Sequence, residues 1–243
     1  IDCRVGNNTV VVFPEGFRAS CDPVPKVQAR WILAPMGAIS SHTVTHAWPQ
    51  TDWVYNYGLY APGAKISVPD SNLLVVLRNP YAGDEFDQAT YPKSVRSGKC
   101  YTIRKRDLFH KNNSITQMHD PKDALLPDSI KDSVHYFLTH EFFVSYDPYT
   151  YLTFAAAMLG CVSIVHPLGN LTKEQWMLST AWGPYIRESG RETLLNGVAY
   201  GDSQDEINTA QMHMHLVRQE FFNIKKWSEG TVDRFLSHVA EPN

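Results

Sequence analysis

The chain has 243 residues, 43% of them hydrophobic, enough to bury one large core or two smaller packed domains. Its 22 basic and 25 acidic residues leave a formal charge of -3, which offers no broad electrostatic footprint for nucleic acid or an acidic membrane and favours a soluble enzyme or binding protein. No apolar stretch reaches the roughly 20 residues that span a bilayer, since the longest, over 154–165, is interrupted by Gly160 and Cys161.

Taken in chain order, Val10, Val11, Val12 and Phe13 make an apolar β-branched run closed by Pro14, Glu15 and Gly16, as in a strand buried on both faces of a parallel sheet. Over 25–33, Val27, Trp31 and Ile32 stand among polar residues, and 52–58 reads as a short strand ending in a turn. The run 73–77 is a further buried-strand candidate. The Asn, Pro, Gly and Asp of 79–84 then punctuate a connection and set a domain boundary near residue 85.

Beyond that boundary, 100–103 reads as a strand running into Arg104, Lys105 and Arg106, and 130–139 as a helix. A strand over 142–146 is broken by Asp147 and Pro148. A helix over 150–159, apolar nearly all round, ends at Gly160, and a strand over 161–165 is closed by His166 and Pro167. Strand, tight loop, buried helix and strand make a βαβ unit, which implies a parallel sheet. Residues 172–178 suit an amphipathic helix and 197–201 a short strand and turn. From 205 to 227, Ile207, Ala210, Met214, Val217, Phe221 and Ile224 recur at helical spacing in a long final helix. The expected fold class is α/β, with a small N-terminal domain over 1–85 and a C-terminal domain over 86–243, the final helix packing back on the first.

Cys3, Cys21, Cys100 and Cys161 are widely spaced without a C-x-x-C pair, the usage of a reduced, cytoplasmic chain. Three glycosylation triplets, opened by Asn7, Asn112 and Asn170, have no signal peptide beside them and carry little weight. The start at Ile1, directly before an extended run, is read as a sign that early strands have been removed.

Ligands of open α/β sheets bind at the carboxyl ends of the strands, where helix N-termini aim unpaired N–H groups at anions. Ser145, Tyr146, Asp147, Pro148, Tyr149 and Thr150 occupy such a place. The amides near Tyr149 and Thr150, with the Thr150 hydroxyl, suit a diphosphate, and Asp147 suits sugar or ribose hydroxyls. Taken alone, the same residue types are better explained by capping, with Asp147 near the N-cap and no ligand involved. Arg104 and Lys105, at another strand's carboxyl end, would supply the cations for a leaving diphosphate without a metal ion; alone, the basic triplet reads as a solvated turn. Histidine pairs at 42 and 46 and at 213 and 215 lack convincing metal-ligand geometry, so no metal is expected. Trp31, Trp48, Trp53 and Tyr55 would suit either acceptor stacking or core packing.

The run from Phe143 to Thr150, followed by the Ala-rich stretch from Ala155 through Gly160, Cys161 and Ser163 to Val165, resembles the donor-binding half of GT-B-fold glycosyltransferases. It is similar above all to a bacterial and viral branch that reads SYDPxT before an Ala-rich helix and GCxS. Val12 to Glu15, Arg30 to Leu33, Cys100 to Lys105, Lys173 to Trp176 and Gly197 to Gly201 fit the same branch in the same order. The resemblance implies two Rossmann-like domains with parallel sheets, the first small or truncated. It also implies sugar transfer from a nucleoside-diphosphate donor, UDP-linked by the same likeness, to a saccharide acceptor, without cofactor or obligatory metal.

The resemblance carries Arg104 and Lys105 to the diphosphate. It places Ser145, Tyr146, Asp147, Tyr149 and Thr150 around the donor, with Lys173 nearby. Many GT-B enzymes carry two carboxylates eight positions apart here. Asp147 takes the first place and Ala155, without a polar group, the second. Glu15 and then Asp52 are the first carboxylates to test as a general base for an inverting transfer. A non-catalytic saccharide-binding or nucleotide-sugar-binding module on the same scaffold is the alternative.

Overall fold

The computed structural model describes residues 10–14, 27–32, 53–56, 74–75, 96–104, 106, 117–169, 171–190 and 195–240. The chain divides into two compact units, one made of Ile1–Leu77, Leu178–Gly190 and Ile224–Asn243, the other of Arg78–Met177 and Arg191–Asn223. Among the described residues no helix is long and apolar enough to cross a membrane.

The first unit holds a three-stranded parallel sheet of β1 (Val10–Pro14), β2 (Val27–Ile32) and β3 (Trp53–Asn56), in that order. Its core joins Ala29, Leu74 and Phe235, with Val10, Trp31, Val232 and Val239 packed around them. The expected strand over 73–77 is not what Leu74 and Val75 form: both are buried, but neither belongs to a strand. The Val75 N–H donates to the Thr231 hydroxyl, which in turn lies 3.1 Å from the Val75 carbonyl, so a side chain satisfies a backbone that a sheet neighbour would otherwise have satisfied. Trp31 is a packing residue here, its indole N–H donating to the Leu74 carbonyl at 2.8 Å.

The second unit holds a five-stranded parallel sheet, a Rossmann-like α/β arrangement. Its strands are β4 (Lys99–Thr102), β5 (Ala124–Leu125), β6 (Phe142–Ser145), β7 (Val162–Val165) and β8 (Val198–Tyr200), in the order β5-β4-β6-β7-β8. The helices following in the chain are α1 (Ile130–Thr139), α2 (Tyr151–Met158), α3 (Lys173–Ser179), α4 (Gly183–Glu188), α5 (Gln204–Met212) and α6 (Val217–Ala240). All four residues of β7 are buried, which is why the sequence there is a nearly unbroken apolar run. Its one polar member, Ser163, donates its hydroxyl to the Thr153 carbonyl in α2. β6, α2 and β7 form the βαβ unit that the sequence pattern called for.

The long final helix of the sequence reading is two helices. α5 ends at Met212, a 3-10 turn covers Met214–Leu216, and α6 runs on to Ala240, well past Trp227. The break seats Met214 and Val217 on Gly197, whose φ of +73° suits glycine and whose absent Cβ would lie 2.8 Å from a Val217 methyl and 3.2 Å from the Met214 sulfur. Two elements had no counterpart in the sequence reading: β5, only two residues long, and α4, which starts with Pro184 in its first turn.

Candidate functional site

In the second unit the chain lays down β4, steps outward to β5, and returns to the other side of β4 as β6. The point where the strand order reverses therefore falls between β4 and β6, and in open α/β sheets ligands settle beside the carboxyl ends at such a point. Thr102 and Ser145, the last residues of the two strands, are register partners. The residues after each strand, which the sequence reading had joined into one pocket, thus leave the sheet side by side.

The 145–150 loop is held from within. The Ser145 hydroxyl donates to the Asp147 carbonyl at 2.9 Å and accepts from the Asp147 N–H at 3.2 Å. The Asp147 carboxylate accepts from the Tyr149 N–H at 3.0 Å, an Asx turn. The Thr150 N–H donates to the Asp147 carbonyl, and the Thr150 hydroxyl accepts from the Leu152 N–H, so Thr150 and not Asp147 is the N-cap of α2. From outside, the Trp176 indole N–H donates to the Pro148 carbonyl at 2.9 Å, and Trp176 itself stacks on Tyr200 with ring centres 5.0 Å apart. Ser145, Tyr146 and Asp147 are buried, while Tyr149 and Thr150 are half-buried. The amides of Tyr149 and Thr150, expected to face a diphosphate, are thus bonded inside the loop. Ala155 is fully buried in α2, so position 155 faces no ligand.

The other expected donor residues lie as follows. The Arg104 guanidinium donates to the Pro127 carbonyl at 2.6 Å and pairs with Asp128 at 3.2 Å. Asp128 is solvent-exposed, so the ion pair itself is weakly held. Lys173 pairs with Glu206 at 2.6 Å, and the same Glu206 oxygen accepts from the Tyr200 N–H, an arrangement that ties α3 to β8 and α5. Glu15, Asp52 and Lys105 lie outside the described residues, as do Trp48 and both His42 and His46. Among the described residues no group of three His, Cys, Asp or Glu side chains is placed to hold a metal ion.

Around Tyr146 the structure assembles groups that the sequence reading passed over. Its phenol oxygen accepts from the Met118 N–H at 2.8 Å and lies 2.8 Å from His119 Nδ1. The His119 ring stacks on Tyr101 of β4 at 3.8 Å, Arg106 lies over the Tyr146 ring at 5.7 Å, and the His166 ring, just beyond β7, is 5.1 Å from it. Burial pushes the Tyr146 phenol above its usual pKa. Desolvation holds His119 below the ordinary imidazole value and Arg106 lowers it further, while Asp123 and Asp120 pull the other way. His166 Nδ1 is 3.0 Å from the Pro167 carbonyl and therefore carries a hydrogen. The rule that ligands gather at strand carboxyl ends points to His166 and Arg106 in the sequence. Nothing in the polar stretch before β5 singled out His119, which reaches the site only through the fold.

A cavity of about 320 Å³ lined by Arg96, Glu141, Gly160, Val162, Gln211 and Met214 lies at the opposite, amino-terminal ends of β4, β6 and β7. There Arg96 ties the ends of α1 and α2 together, donating to the Phe137 carbonyl at 3.0 Å and the Leu159 carbonyl at 2.6 Å. The class defined by fold and site is thus a Rossmann-like α/β unit with an aromatic and cationic cluster at its switch point. Comparison of the chain with protein-family models, with curated proteins and with solved structures finds no match.

Proposed function

We propose that the chain is a GT-B-like glycosyltransferase that takes a nucleoside-diphosphate sugar, UDP-linked by the motif resemblance, and passes the sugar to a saccharide acceptor. The observation that carries this is the adjacency of β4 and β6 at the switch point: the two stretches whose motifs resemble the donor half of that class leave neighbouring strands in register. A diphosphate leaving group needs cations and N–H donors there rather than a resident cofactor. Arg104, whose partner Asp128 is exposed, and Arg106, over Tyr146, are the described side chains that supply the cations. Asp147, engaged in its Asx turn, shapes the loop instead of offering its carboxylate first to a sugar. The Rossmann-like second unit is the donor-binding half in this proposal, and Glu15 and Asp52 stay the carboxylates to test for a base.

A non-catalytic binding module is the second reading, favoured by the internal bonding of Ser145, Asp147 and Thr150. Thermal unfolding across a panel of nucleoside diphosphates and their sugars tests donor binding, and slow donor hydrolysis tests catalysis. The transferase proposal expects UDP and a UDP-sugar to raise the melting temperature and hydrolysis to fall on Arg104→Ala or Arg106→Ala. Stabilisation without hydrolysis selects the module, and no stabilisation by any member of the panel removes both readings.

A further inference from the structure

We propose that Trp176 is a positioning residue for the 145–150 loop: its indole N–H holds the Pro148–Tyr149 peptide in one orientation, and its ring fastens the loop to Tyr200 and so to the stretch that follows β7. The inference rests on the nucleotide-sugar reading of the same loop and names what keeps that loop in shape before a ligand arrives.

The Pro148 carbonyl and the Tyr149 N–H are the two polar ends of one peptide plane. Trp176 Nε1–H donates to that carbonyl at 2.9 Å, and the Tyr149 N–H donates to the Asp147 carboxylate at 3.0 Å. Turning the peptide over would break both bonds, so the indole bond and the Asx turn support each other. Trp176 is 1% exposed, which leaves no water at hand to replace the bond it makes. The indole also stacks on Tyr200, ring centres 5.0 Å apart. The Tyr200 hydroxyl accepts from the Leu168 N–H and donates to the Leu171 carbonyl, both at 3.0 Å. Burial pushes the Tyr200 phenol above its usual pKa, which keeps the hydroxyl a donor at neutral pH. The Tyr200 N–H donates in turn to Glu206, the partner of Lys173 at the start of α3. The stretches that follow β6 and β7 are thus pinned to one aromatic pair, and every residue of the arrangement lies in the second unit. A loop already held in one conformation loses less entropy when it binds, and an unpinned loop binds in proportion to the time it spends in the competent shape.

The test compares Trp176→Phe, which keeps a ring for stacking and lacks the N–H, with Trp176→His, whose Nε2 takes the place of Nε1 in the five-membered ring while the outer ring is lost. Both lower the melting temperature, His the more because it empties more of the buried site. Packing and positioning therefore rank the two variants in opposite order. The readouts, at pH 7.5, are native-state hydrogen exchange of the Tyr149 amide and titration calorimetry of the full chain with UDP. Amides of Val162–Val165 serve as the reference for overall stability. The proposal expects Trp176→Phe to speed Tyr149 exchange beyond that reference and to weaken UDP about 3- to 10-fold, the range of one neutral hydrogen bond, with Trp176→His close to the wild type in both. Losses that follow the melting temperatures, larger in His than in Phe, overturn the proposal in favour of packing alone. Either readout unmoved in Trp176→Phe also overturns it and leaves nucleotide binding standing. A wild type that does not bind UDP overturns the donor-site reading and this proposal together.

Discussion

Tyr146 shows how far a single side chain can differ from its motif. In the resemblance it stands beside the donor; in the fold it is fully buried, and its oxygen is the hub for the segment that carries Met118 and His119. Tyr146→Phe keeps the ring and deletes that hub, leaving the buried Met118 N–H without an acceptor. A loss of about 1–3 kcal/mol is expected, measured by urea unfolding. The neighbouring imidazole gives a pH signature. His119 has a folded pKa below its unfolded value because desolvation disfavours the cation, so the unfolded chain binds the proton more readily. The contribution is therefore fully present above the unfolded value and is lost as pH falls from about 6.5 toward the lower folded value. Wild-type stability should drop across that interval more than that of His119→Gln, which has no titrating ring, in unfolding curves collected from pH 7.5 to 5.

At the scale of elements, caps and close approaches decide what holds. Thr150 caps α2, so Thr150→Ala should cost about 1 kcal/mol in chemical denaturation, while the neighbouring Asx turn of Asp147 stays in place. Gly197→Ala should cost more. It places a Cβ at φ +73° against Val217 and Ala157. The left-handed conformation contributes about 1–2 kcal/mol and the overpacking about 1–3 kcal/mol, read from the urea midpoint. These elements also mark the limits of sequence reading. β6, α2 and β7 were legible because all but the first residue of β6 and of α2 are buried and their apolar runs are bounded by Asp147-Pro148, Gly160 and His166-Pro167. β5 was not, since two residues carry no periodicity. The break between α5 and α6 was missed because apolar spacing continues through it, and the close approach of Met214 and Val217 to Gly197 that accompanies it leaves no periodic signal. At the strand ends, the βαβ pattern placed Thr102 and Ser145 side by side, as their register shows. Whether Asp147 and Arg104 face a ligand or their own neighbours depends on hydrogen bonds that residue type alone does not specify.

For the molecule as a whole, the first unit draws its core from the two ends of the chain. Ala29, Leu74 and Phe235 meet in one cluster, Val232 and Val239 join it from α6, and Thr231 bonds both backbone groups of Val75. The stretch of α6 beyond Trp227 contains Ser228, Gly230 and Thr231, which are modest helix formers, so packing rather than propensity explains why the helix continues to Ala240. If so, removing the packing should act on β2 rather than on the helix's beginning. Phe235→Ala empties a nearly buried site and should cost about 3 kcal/mol, the lower end for such a truncation because the ring is 9% exposed. Hydrogen exchange offers the readout: amides of Val27–Ile32 should lose protection in Phe235→Ala, while those of Phe142–Ser145 and Val162–Val165, whose cluster contains Val144, Tyr146, Val162 and Ile164 and none of α6 beyond Asn223, should keep theirs. Equal loss in both sheets would mean that the two cores unfold as one cooperative body.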